Sequence, residues 1–231
     1  MKNLRAAFPL LLALAFLAGC SGKPPAISRV YARVVYVDDA RTGRKTETLG
    51  VFLVGSDPDG MENLSAFYVI NDDAELFWKV DNSSWASITA EGETWIGTSS
   101  LTLPASSSAV PSGNYRVVLQ SVGGDTVEAA FTLPPRTESA EEAAYPAATV
   151  TDGTVKITGS QRAYEIWIYD KEGRFMASVP APGRHPSVAV KSLAAASGLQ
   201  DAFSFRVYGL NAEGGYGVLA GPYAAFPATE R

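Results

Sequence analysis

Few residues in this 231-residue chain have side chains suited to chemistry. The one histidine, His185, sits between Gly183-Arg184 and Pro186 in a Pro/Gly-rich stretch that reads as a loop. A Ser-His-Asp site would have to use it, yet no serine has the Gly-x-Ser-x-Gly setting of a nucleophile elbow. A loop histidine without a recognisable partner reads as a surface residue. No catalytic residue is therefore assigned, and the chain is expected not to be an enzyme. Zinc needs several His or Cys ligands, and the chain has one of each, His185 and Cys20. Neither a Walker lysine loop nor a dinucleotide fingerprint is present, and Gly123-Gly124 reads as a hairpin turn rather than a phosphate cradle.

Acids and aromatics remain. Asp57 and Asp59, Asp38 and Asp39, and Asp72 and Asp73 are paired carboxylates in turn-like sequence. Loops that present carboxylate and carbonyl oxygens suit calcium, so Asp57 and Asp59 are a candidate calcium pair. The competing reading is that Asp starts turns by bonding its own backbone, and the EF-hand spacing is missing. Calcium is the one cofactor for which the sequence offers ligands. Among Trp78, Trp85, Trp95 and Trp167, the last two sit in apolar runs and are expected in the core. Trp85 follows the polar run Asp81 to Ser84, so it is the candidate for stacking a ligand such as a sugar.

The amino terminus is the most specific stretch. Lys2 and Arg5 precede a nearly unbroken apolar run from Phe8 to Leu17, and Ala18-Gly19-Cys20 follows. This order of basic, apolar and small residues is that of a cleaved secretory signal. The apolar run is too short to cross a hydrocarbon core, which takes roughly 20 residues. Leu17-Ala18-Gly19-Cys20 resembles the lipobox of bacterial lipoproteins. The resemblance implies cleavage after residue 19, diacylglycerol on the Cys20 thiol and an acylated new amino terminus. Two or more acyl chains anchor stably, at roughly 0.8 kcal/mol per buried CH₂. In enteric-type lipoproteins Asp after the cysteine marks inner-membrane retention; here Ser21 follows it, so the implied location is the outer membrane of the cell envelope.

The chain has 19 basic and 24 acidic residues. Losing Lys2 and Arg5 with the signal leaves a net charge of about −7 with His neutral. That balance excludes nucleic acid as a partner, because phosphate binding needs a clustered positive surface. With Cys20 acylated no thiol remains for a disulfide, so the fold must rest on its apolar cores.

Short runs of Val, Thr, Tyr and Trp punctuated by Gly, Pro, Ser and Asp indicate an all-β protein. Residues 20–25 form a polar tether. Alternation then predicts strands over 28–37, 48–54, 64–70, 75–80 and 94–103. A hairpin follows, from Tyr115 through Gly123-Gly124-Asp125 to Leu133, where a period of two meets a tight turn. Tyr115, just after Pro111-Ser112-Gly113, is similar to the tyrosine corner of Greek-key sandwiches. Pro134 to Tyr145 has almost no β-former, and Ser139 with Glu142 fits a capping box for one helical turn. Further strands are expected at 149–151, 154–158, 163–169, 174–179, 187–190, 203–208 and 217–226, with a helical turn over 193–197 closed by Gly198.

The turn Asp57-Pro58-Asp59-Gly60 between apolar strands, and the final hairpin around Asn211 to Gly214, resemble those of immunoglobulin-like and fibronectin type III-like modules. The resemblance implies two consecutive β-sandwiches, over 26–133 and 146–228, joined by a linker over 134–145 and preceded by the signal peptide over 1–19. A lipid-anchored sandwich pair of this kind is expected to bind or space an envelope protein partner through strand edges or loops. The alternative is binding of carbohydrate or peptidoglycan by exposed aromatics.

Overall fold

Alternation of apolar and polar residues governs nearly every element in the computed structural model, which describes residues 23–90, 92–104, 109–199, 202–211 and 215–226. The lipobox and Cys20 lie outside the described residues. The first half contains β1 (Ala26–Asp39), β2 (Arg44–Ser56), β3 (Leu64–Asn71), β4 (Leu76–Asp81), β5 (Ala86–Ala90), β6 (Glu93–Thr102), β7 (Gly113–Ser121) and β8 (Thr126–Leu133). The second half contains β9 (Ala147–Thr151), β10 (Thr154–Thr158), β11 (Ala163–Tyr169), β12 (Phe175–Ala181), β13 (Ser187–Ala189), helix α1 (Val190–Ser197), β14 (Ser204–Leu210) and β15 (Gly217–Ala224). The protein is all-β, and α1 ends as expected on Gly198, whose φ of 69° is the left-handed conformation glycine accepts without strain.

Three sheets form. The largest runs β12-β11-β14-β15-β1-β2-β6-β5 and draws strands from both halves of the chain. Its seam is a parallel pairing of the first and last strands, Val35 opposite Gly217 through Asp39 opposite Gly221. A four-stranded sheet, β4-β3-β7-β8, covers the first half, and a three-stranded sheet, β13-β10-β9, covers the second.

Two apolar cores result. Val34, Tyr36, Leu49, Phe67 and Leu119 belong to the first, and Ile157, Ile166, Leu193, Phe205 and Val207 to the second. Both lie on the same side of the large sheet. Val207 pairs with Ala220 and Ala220 with Asp38, so the inward residues of β14 and β1 point the same way. The first core also takes in Val218 of β15, so burial as well as hydrogen bonding crosses the seam.

The stretch between the halves is not a free spacer. Ala140 and Ala143 are buried in the first core. Half of the expected capping box forms: Glu142 Oε2 accepts from the Ser139 N–H at 3.1 Å and from its hydroxyl at 2.9 Å, while the Glu142 N–H donates to the Ser139 carbonyl at 3.2 Å instead of to the hydroxyl. Arg136 reaches the Val110 carbonyl and lies 3.5 Å from Glu47 Oε2, a carboxylate that also accepts from the Val110 N–H at 2.8 Å. The Tyr36 hydroxyl donates to the Glu138 carbonyl at 2.5 Å, and Gln161 Nε2 donates to the Ala144 carbonyl at 2.5 Å. These bonds fasten the connector to both halves.

The tyrosine corner is present. Tyr115 is 2% exposed, and its hydroxyl donates to the Pro111 carbonyl at 2.8 Å.

Candidate functional site

With both cores on one side, the large sheet has a second face that neither of the smaller sheets covers. The outward residues of β1 include Tyr31 and Arg33, and Tyr31 pairs with Phe52 on β2. Trp95 stands on β6 beside the buried Ile96 and therefore points outward. On the other side of the seam, Glu165 and Trp167 alternate with the core residues Tyr164, Ile166 and Ile168. Tyr208 alternates with Val207 in the same way. Trp95, Phe52, Tyr31, Tyr208, Trp167 and Phe175 thus form an aromatic row across the sheet. It runs diagonally, because Tyr208 is level with Val37 through Leu219, six residues along β1 from Tyr31.

Two glycines let the rings lie down. A Cβ on Gly97 would come within 2.6 Å of the Phe52 ring and 2.2 Å of the Val51 carbonyl oxygen. A Cβ on Gly217 would come within 2.4 Å of the Tyr208 ring. Tyr208 therefore leans across β15 towards β1. Its other flank stacks on Trp167, with centroids 4.9 Å apart and planes 7° from parallel. Phe175 meets Trp167 edge-on at 6.3 Å, an arrangement that the ring quadrupoles favour.

Polar groups are interleaved with the rings. The Arg33 guanidinium lies 5.0 Å from the Tyr31 centroid, a cation–π geometry. Trp167 Nε1 donates to Glu165 Oε2 at 3.2 Å. Arg29 pairs with Glu93 at 2.7 Å and Arg206 with Asp39 at 2.8 Å. Burial, together with the neighbouring Tyr208, pushes the Tyr31 hydroxyl up to about 12. Burial also raises Tyr208, against the pull of Arg33. Both hydroxyls are neutral at physiological pH, and they bond to each other, with Arg33 beside Tyr208.

Where the row crosses the seam, a cleft of about 510 Å³ opens. Tyr31, Arg33, Arg162, Glu165, Pro180 and Tyr208 line it. β15 starts opposite Val35, so residues 26–34 of β1 extend beyond it with β2 on one side only.

The sequence-derived candidates fall elsewhere. Trp85 is not an exposed platform: it packs on the first core and stacks on the buried Phe67 at 6.2 Å. Trp95 and Trp167, both expected in the core, are on the outer face. Asp57 uses its carboxylate in its own turn, where Oδ1 accepts from the Asp59 N–H at 2.9 Å. No group of three or more acidic, His or Cys side chains converges on a common point among the described residues.

Asp39 accepts from Arg41 and Thr42 N–H groups, and Asp72 pairs with Arg116 at 2.7 Å. These acids are committed to turns and ion pairs. His185 is exposed and lines a separate shallow cleft of about 290 Å³ with Ser160 and Arg184. A signal for the aromatic row was present in β11, where Tyr164, Ile166 and Ile168 fill one face and force Trp167 to the other. The glycines opposite Phe52 and Tyr208 carry meaning only once the register is known.

No protein-family profile matches the chain, and no curated protein matches it either. Among solved structures it is similar to dimeric latent PorU from Porphyromonas gingivalis, with 14% identity over 88% of this chain and a TM-score of 0.34. The chain spans about a fifth of PorU, 20% of its length. The N-terminal Ig1-2 module of the Drosophila receptor protein tyrosine phosphatase DLAR is 13% identical, with 85% of this chain and 97% of that one covered and a TM-score of 0.36. Tp47, the 47-kilodalton lipoprotein of Treponema pallidum, is 13% identical, with 88% and 52% covered and a TM-score of 0.32.

Proposed function

We propose that this protein is a lipid-anchored, non-enzymatic binding module of the bacterial cell envelope. In this reading acyl chains on Cys20 hold it at the outer membrane, and the outer face of the eight-stranded sheet engages a partner. The observation that carries the reading is the aromatic row, which exposes Tyr31 to 42% and Phe175 to 37% on a face that, among the described residues, neither smaller sheet covers. Tyr, Trp and Arg are the residue types that dominate binding hot spots, and all three meet at the cleft. The anchor is supported by the lipobox and by the short tether, which leaves β1 to begin six residues after Cys20.

Two experiments test this. Cys20→Ser in the expressed full chain should abolish incorporation of labelled palmitate and release the protein from membranes. Labelling that persists would refute the anchor. The soluble ectodomain should capture a partner from envelope extract, and Tyr31→Ala with Trp167→Ala should abolish that capture while circular dichroism shows the fold retained. Capture indifferent to both substitutions would exclude the outer face.

A further inference from the structure

We propose that the cleft at the seam binds a carboxylate-bearing glycan chain, an inference that rests on the outer face being a binding face. The lining dictates the ligand. The site is a shallow, half-open cleft of about 510 Å³ rather than an enclosed pocket, so it suits a chain lying along the surface better than a ligand buried whole. Tyr31 and Tyr208 offer ring surface and one neutral hydroxyl each. Pyranose rings match such walls, because their C–H faces are apolar and their edges carry hydroxyls that both donate and accept. An aliphatic ligand would cover two guanidiniums without pairing their charge, which is costly.

The charges select further. Arg33 and Arg162 line the cleft with one carboxylate, Glu165, which already accepts from Trp167 Nε1 at 3.2 Å. The cations at the edges of this face are neutralised by Glu93 and Asp39. The cleft therefore holds a cation surplus in a chain whose net charge is −5. A densely anionic polymer would be repelled by the protein as a whole. A glycan with carboxylates spaced between neutral sugars meets the two guanidiniums without that cost. Planar guanidinium is suited to carboxylate, which it can bind through two parallel hydrogen bonds. The cleft is also continuous with the aromatic row, so a chain longer than the cleft can continue along it.

The test is titration of the soluble ectodomain with hyaluronan oligosaccharides, which alternate uronic acid with a neutral N-acetyl sugar. Chitin oligosaccharides of equal length serve as the uncharged control, and intrinsic tryptophan fluorescence and calorimetry are the readouts. Hyaluronan oligosaccharides should bind, weaken with added salt and outcompete chitin oligosaccharides by about tenfold or more, the ratio expected for a charge-assisted hydrogen bond. Arg162→Gln, at an exposed position that folding tolerates, should erase that preference. Tyr208→Ala should weaken both ligands. Phe77→Ala, 61% exposed on the far four-stranded sheet, should change nothing. Equal binding of the two ligands, or an Arg162→Gln variant that retains the preference, overturns the inference. If neither oligosaccharide binds while partner capture still depends on Tyr31, the glycan is wrong and the binding face stands. Loss of both dependences removes both.

Discussion

Arg136 shows how much a single residue holds in this fold. Its side chain is 11% exposed and faces Glu47 at 5%, so the pair is removed from water. Removing one partner of a buried pair typically costs about 3–5 kcal/mol, because the other charge is left uncompensated. Arg136→Ala should lower urea-unfolding stability by about that amount. A loss below about 1 kcal/mol would show that the pair is solvated in practice. The tyrosine corner is a smaller test. Tyr115→Phe removes one buried hydrogen bond and should cost about 1 kcal/mol without changing the fold.

Two titrations set the pH limits at this scale. Burial works against Asp39's charge, yet the Arg206 guanidinium and the N–H groups of Thr42 and Arg41 outweigh it and hold its carboxyl below the usual range. Its contribution is therefore present at neutral pH and is lost as pH falls below about 4. Asp39→Asn should flatten stability against pH in that acid window, measured by chemical denaturation. Tyr216 is opposite in sign. Burial and the Glu138 carboxylate push it up to about 12. The unfolded chain then deprotonates first, near pH 10, and stability falls between pH 10 and 12. Tyr216→Phe should lessen that alkaline loss.

At the level of elements, most strands were readable because one face of each is apolar. β7, with Tyr115, Val117 and Leu119 buried in alternation, could hardly be read otherwise. β5 was missed because Ala86 to Ala90 has no buried face and owes its place to pairing with β6. Trp85 was misplaced for a related reason. Its polar neighbours Asp81 to Ser84 describe the turn and not the side chain, which swings onto Phe67. The glycines of the outer face separate two kinds of crowding. A methyl on Gly97 meets the Val51 carbonyl and cannot be relieved without moving backbone, whereas one on Gly217 meets only the Tyr208 ring. Gly97→Ala should therefore destabilise more than Gly217→Ala. Gly217→Ala should instead alter the intrinsic tryptophan fluorescence, a change absent in a Trp167→Phe background, as Tyr208 is displaced from Trp167, and equal Tm losses for the two variants would contradict this.

For the whole molecule, what local sequence could not convey is the seam. Nothing in Val35-Tyr36-Val37 announces that its neighbour lies about 180 residues away in Gly217-Val218-Leu219. Parallel pairs leave no turn signal, since their connection is long. The connector deepens the difference: Pro134 to Tyr145 reads as a polar link, yet Ala140 and Ala143 are core residues. The halves should therefore unfold together. Calorimetry of the ectodomain should show one transition, and residues 26–133 expressed alone should be markedly less stable than the same residues in the whole chain. Two resolved transitions, or an isolated first half as stable as the whole, would contradict the coupling.

The parallel seam also has a mechanical consequence. β1 begins at the end of the sheet nearest the tether, and β15, running alongside in the same direction, finishes at the other. A load applied between residue 26 and residue 224 pulls the two strands past each other lengthwise. Every backbone bond of the seam then resists together, where an antiparallel hairpin pulled from its open end would yield one bond at a time.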